Sequence, residues 1–146
     1  KRYHYKYIGM GGRLDTIQAA ILLAKLPHYK KELEQRENVA KKYKDLIKKN
    51  FKIPVIKSNR TTGWGQYTLR INNRDEVQKK LKDEGIPTAI YYPVPLHLQA
   101  CFKYLNYKEN DLPVAEESSS CVLSLPMNAY LSDDNISYIA KTLNDI

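Results

Sequence analysis

Two helical runs of opposite character meet at Pro27, and that junction limits the fold more than any other feature. From Leu14 to Leu26 the chain is apolar almost all round, with Leu14, Ile17, Ile21, Leu22, Ala24 and Leu26. Such a helix needs cover on several sides, or a second subunit to pack against. Pro27 removes a backbone donor, so the helix ends, bends or restarts there. From Tyr29 the series Tyr29, Leu33, Arg36, Ala40, Tyr43 and Ile47 advances by fours and threes, which predicts an amphipathic helix of about five turns. Its polar face carries Lys31, Glu34, Glu37, Lys41 and Lys44, with Glu37 one helical turn before Lys41.

After Asn50 the elements shorten. "FKIPVI" reads as extended and "RTTG" as a loop, and the alternation of Trp64, Tyr67, Leu69 and Ile71 predicts a strand. "NRDEVQKKLKDEG" follows helix logic, with Asn73 as cap, Asp75 and Glu76 in the first turn and Gly85 at the end. "IPTAIYYPVP" predicts a second strand running into a proline-bounded loop, and "LHLQACFKYL" a short helix. A further helix leads into a strand at Val122 to Leu125. A terminal helix follows, capped by Ser132 or Asp133, with Ile136, Ile139, Ala140 and Leu143 on one face. The resulting expectation is an α/β (α+β-like) domain, a small sheet flanked by helices, with the long first helices outside it as a connector.

The 146 residues, 42% of them hydrophobic, suffice for one domain with a core. No apolar run has membrane-spanning length and no signal-peptide pattern is present, so a cytoplasmic protein is expected. The chain opens mid-pattern on "KRYHYKYIG" without methionine, which reads as a fragment or a processed chain. Cys101 and Cys121 have no metal-site spacing and suit either a reduced protein or one disulfide. The net charge of +8 suits nucleic acid, an anionic substrate or a lysine-rich solvated surface. Lysines gathered in helical stretches such as "KKYKDLIKK" favour the surface reading, and no nucleic-acid partner is expected.

The candidates for chemistry are few. Gly9, Gly11 and Gly12 precede Arg13 and the first helix, so they read either as a tight turn capping that helix or as an anion site at its N-terminus. Leu14 rules out the dinucleotide fingerprint, and no G-K-[ST] follows to make a P-loop. Arg13 supplies a guanidinium whose fork matches a phosphate. His4 and His28 read as surface residues. His97 lies just after "YYPVP", in a rigid loop at a strand end, where binding residues are often found. No nucleophile–base pair and no metal-ligand spacing stand out.

In order along the chain, "IGMGGRLDTIQAAILLAKL", "RENVAKKYKDLI", "QYTLRI", "GIPTAIYYPVPLHLQACF" and "LPVAEESSSCVLSLPM" resemble the C-terminal part of the DegT/DnrJ/EryC1/StrS aminotransferases. These enzymes aminate nucleotide-linked keto-sugars. The resemblance runs from about Tyr7 to Ile146, and "RLDTIQAAIL" and "YYPVPLHLQ" are its most specific parts. It implies a fold-type I enzyme dependent on pyridoxal 5'-phosphate (PLP), with glutamate as amino donor and active sites shared in a homodimer. Residues 1–50 would be the end of the large domain and the interdomain helices, and 51–146 the small C-terminal domain. The lysine that anchors PLP as a Schiff base lies upstream of the glycine–arginine motif in that family. This chain would therefore contribute no catalytic residue and be inactive alone.

The family motif reads G-x-N-x-R where this chain has Gly9 to Arg13, and its asparagine reaches the PLP phosphate of the other subunit. Gly11 stands at that position and offers only a backbone N–H. Gly11 and Arg13 are thus the implied cofactor contacts, and Arg13, His97 and Tyr92 the implied substrate contacts. Two other readings stand beside this one: a related PLP-dependent sugar dehydratase, and a non-catalytic basic binding or dimerisation module.

Overall fold

The computed structural model describes residues 2–48 and 51–146, so the expected boundary at Asn50 lies outside the described residues. Helix α1 spans Thr16–Lys25 with Asp15 at its N-cap. The Gln18 side chain accepts the Asp15 N–H at 3.2 Å, half of the reciprocal arrangement that satisfies a helix start. Pro27 sits in a 3₁₀ turn, Leu26–His28, and α2 begins directly after it and spans Tyr29–Leu46. Helix α1 buries none of its residues. The inward series of α2 sinks progressively: Tyr29 is exposed, Leu33 and Arg36 are half-buried, and Ala40, Tyr43 and Ile47 are buried.

The sheet pairs β1 (Tyr67–Arg70) antiparallel with β2 (Val122–Leu125), Tyr67 opposite Leu125 and Leu69 opposite Leu123. Those four side chains face the core, while on the other face the hydroxyls of Thr68 and Ser124 meet at 2.8 Å. Helix α3 (Arg74–Asp83), α5 (Asp133–Asp145) and the second half of α2 complete the core through Val77, Leu81, Ile136, Ile139, Leu143, Val39 and Tyr43. The sequence reading set α2 outside this unit; packing against α5 brings its last turns inside. Three aromatic rings link α2 to the sheet, with Tyr43 and Tyr67 centred 5.1 Å apart and Trp64 5.5 Å from Tyr67. Burial raises the Tyr43 hydroxyl far above its ordinary range and pushes Tyr67 up to about 12. Glu37, expected on the solvated face, accepts the Trp64 indole N–H, and its pairing with Lys41 is a loose 3.8 Å.

Several elements differ from expectation. "FKIPVI" contributes only a bridge from Lys52 to Arg70, and the second predicted strand only a bridge from Ala89 to Ser124. Pro54 in the first, and Pro87, Pro93 and Pro95 in and beyond the second, lack the N–H a ladder needs. Trp64 has a φ of 46°, which keeps it out of the strand that starts at Tyr67. "LHLQACFKYL" forms two 3₁₀ segments, Leu96–Leu98 and Ala100–Leu105. Asn73 caps α3 through its backbone carbonyl, which accepts from Glu76 and Val77, and its side chain makes no cap bond. Gly85 does end α3, at φ 72°, with Ile86 N–H bonded to Leu81 O at 2.8 Å as in a Schellman close.

Candidate functional site

A cleft of about 640 Å³ opens along the 91–99 loop, lined by Tyr5, Tyr91, Tyr92 and His97 together with Ala115 and Ser119 of α4 (Pro113–Cys121). Its walls are mostly apolar and aromatic, the composition usual for a ligand pocket. Tyr92 is half-exposed, and the peptide bond joining it to Tyr91 is cis. The ring of Tyr3 stands edge-on to Tyr92 at 5.5 Å. The structure thus brings two of the expected substrate contacts, Tyr92 and His97, to one cleft.

His97 is buried, only 8% exposed. Pro95 at the N-cap turns the chain into the 3₁₀ segment that aims the imidazole at α4, where Nε2 meets Glu116 Oε1 at 3.0 Å. The same carboxylate accepts the backbone N–H groups of Asn110 (2.9 Å) and Leu112 (3.2 Å). Those bonds, Asn110 foremost and His97 with Leu112 behind it, hold Glu116 below the usual carboxylate range against the opposing effect of desolvation. Tyr107 closes the corner edge-on to the imidazole at 6.0 Å.

Gln99 is the second organiser of this loop and is 3% exposed. Its side-chain oxygen accepts Tyr5 N–H at 3.1 Å, and its amide donates to Tyr3 O at 2.9 Å. Cys101 N–H adds a bond to Tyr5 O. One wall of the cleft is therefore contributed by Tyr5, which is clipped with Tyr3 onto residues near 100. Sequence reasoning missed Glu116 and Gln99. The available signals were slight: a glutamate just inside a Pro-started helix, and a polar residue closing "PLHLQ".

Gly11 and Arg13 do not line this cleft. Residues 8–15 are irregular without a turn, and none of Gly9, Gly11 and Gly12 occupies the left-handed region. The expected tight turn is absent; Asp15, not the glycines, caps α1. The Arg13 side chain is 82% exposed and pairs with Asp15 at 2.6 Å, so its charge is partly answered within its own segment. His4 and His28 are exposed, as expected. Cys101 and Cys121 are both free. Among the described residues no group of three or more His, Cys, Asp or Glu side chains could hold a metal ion, and no helix is long and apolar enough to cross a membrane.

Residues 1–144 match the DegT/DnrJ/EryC1/StrS aminotransferase family. The UDP-2-acetamido-2-deoxy-3-oxo-D-glucuronate aminotransferase of Pseudomonas aeruginosa is 42% identical over 99% of this chain, which spans 40% of that protein's length. A solved DegT/DnrJ/EryC1/StrS aminotransferase from Brucella abortus superposes with a TM-score of 0.84 at 39% identity, over 99% of this chain and 39% of its own. DesV of S. venezuelae, solved in complex with a ketimine intermediate, superposes at 0.87 with 29% identity, over 99% of this chain and 40% of its own. The small helix-flanked sheet is thus the fold of the matching part of these enzymes. The chain belongs to the DegT/DnrJ/EryC1/StrS aminotransferase family.

Proposed function

We propose that the protein containing this chain transfers an amino group from glutamate to a nucleotide-linked keto-sugar destined for cell-surface polysaccharide or glycan, in the cytoplasm, with PLP as cofactor. The observation that carries this reading is that Tyr92 and His97 open onto one cleft, in a chain that follows a UDP-keto-sugar aminotransferase along nearly its whole length. The aromatic walls offer flat apolar faces to a nucleotide-sugar, and His97 offers a fixed polar point. Residues 1–50 are read as the end of a large domain with its interdomain helices, the last turns of α2 packing into the core of the small domain, 51–146.

When bound, PLP would carry the amino group and withdraw electrons from the reacting carbon. Gly11 and Arg13 fit an edge contact to its phosphate, not a cradle. The Arg13 guanidinium is exposed apart from its pairing with Asp15, and nothing lies within 4 Å of where a Gly11 Cβ would stand. That open edge suits a phosphate held by the partner subunit of a homodimer, with Arg13 donating to it and the Gly11 N–H beside it. Among the described residues no lysine lines the Tyr92–His97 cleft; the Schiff-base lysine is expected upstream of the glycine–arginine motif, and the chain by itself is proposed to lack transaminase activity.

The test is an assay of the complete protein with PLP, glutamate and UDP- or dTDP-linked keto-sugars. Amino-sugar and 2-oxoglutarate should form in equal amounts, and His97→Ala should raise the KM for sugar more than it lowers kcat. Loss of water from the sugar without consumption of glutamate would instead identify a dehydratase.

A further inference from the structure

We propose that Glu116 is a positioning residue. By accepting the Nε2 proton of His97, it leaves Nδ1 as a hydrogen-bond acceptor turned into the cleft, so that the bound ligand must present a donor there. This rests on the reading of the cleft as the nucleotide-sugar site.

The geometry fixes the roles of both nitrogens. Glu116 already accepts backbone N–H groups from Asn110 and Leu112, so its carboxylate is built as an acceptor. Nε2 at 3.0 Å from Oε1 is then the donor. In a neutral imidazole the other nitrogen must be the acceptor. Among the described residues Nδ1 has no hydrogen-bond partner, and no fully buried side-chain nitrogen or oxygen is unpartnered. Nδ1 therefore keeps solvent contact, and the cleft is the opening that His97 lines.

The carboxylate is itself immobilised. Its side chain is 19% exposed, and its backbone partners tie the 110–112 segment to the start of α4. Glu116 thus sets the imidazole against a rigid support, and Tyr107 limits its swing from the side. A ligand donor meeting Nδ1 would be the imide N–H of uracil or thymine, or a ribose hydroxyl of the nucleotide. A second acceptor brought to the same point would be repelled.

Two measurements on the complete protein test this. The first is nitrogen NMR of labelled histidine, with His97 assigned by its loss in His97→Gln. The proton should sit on Nε2, and Glu116→Gln should shift that resonance towards a weaker hydrogen bond. A proton on Nδ1 in the unaltered protein overturns the proposal. The second is calorimetric titration with UDP of the unaltered protein, Glu116→Gln, His97→Ala and the double variant, each checked by thermal melting.

Glu116→Gln should weaken UDP binding about three- to tenfold and cost nothing further once His97 is alanine. Equal losses in both backgrounds would show that Glu116 acts independently of His97 and overturn the positioning role. An unchanged UDP affinity in His97→Ala, with the expected nitrogen spectra, would overturn the reading of the cleft as the nucleotide site and leave the Glu116–His97 pairing standing. CDP separates the two donor sources. A preference for UDP over CDP that His97→Ala abolishes supports the imide N–H, and equal affinity for both supports a hydroxyl.

Discussion

Helices α1 and α5 are near opposites in what they hold and what they bury. Within α1, Ile17, Ile21, Leu22 and Leu23 are each more than half exposed, and no residue is buried. Helix α5 is far more polar, with Asp133, Asp134, Asn135 and Lys141, yet it buries Ile136, Ile139, Ala140 and Leu143. Apolar content does not make a core helix; a stripe matched to a partner surface does. The stripe of α5 meets α2 and α3 within this chain. The residues of α1 point all round and meet no such surface here.

That contrast can be broken by experiment. Leu143→Ala, at a side chain with no exposure, should cost about 2–5 kcal/mol of unfolding free energy in denaturant titration. A loss comparable to a surface change would mean that α5 is not held as described. Arg13→Ala, just ahead of α1, should leave melting unchanged and lower kcat/KM of the complete protein roughly ten- to a hundredfold. Unchanged kinetics would reduce Arg13 to its pairing with Asp15.

Tyr43→Phe removes the hydroxyl that donates to Pro126 O at 2.9 Å and should cost about 1 kcal/mol. The two buried tyrosines, Tyr43 and Tyr67, also set an alkaline limit. Their folded pKa values lie above the ordinary 10, so the unfolded chain loses protons first. Stability is full below pH 10 and should fall as pH rises through about 12, which alkaline melting curves would show. Tyr43→Phe should soften that fall. Smallest of all, Ile17→Ser on α1 should change the stability of this chain by less than about 0.5 kcal/mol. A large loss in denaturant titration would show that α1 packs within this chain and would break the contrast with α5.

The sequence disclosed α5 and the inner face of α2 because a 3.6-residue stripe records burial locally, and it disclosed β1 through the alternation of Tyr67, Leu69 and Ile71. It over-read the segments at Ile53 and Ile90, since β-forming residues do not reveal how prolines interrupt a ladder. The candidate site was legible in its loop, where His97 and Tyr92 sit within one proline-bounded stretch. Its supports were not. Glu116 lies 19 residues from His97, and Tyr5 lies 94 from Gln99. No periodicity encodes a contact between residues so far apart. The glycine cluster misled in the other direction: three glycines look like a turn, yet the backbone uses none of their special freedom.

The clip between Gln99 and the first residues also carries a consequence in time. Closing a loop of 94 residues costs entropy that a helix such as α3, built from neighbours, never meets. On the ribosome, Tyr3 and Tyr5 must wait for residue 99 and its loop to emerge before their backbone finds its partner. The helices can form as they are made, but one wall of the cleft is assembled only after two thirds of this chain has been synthesised.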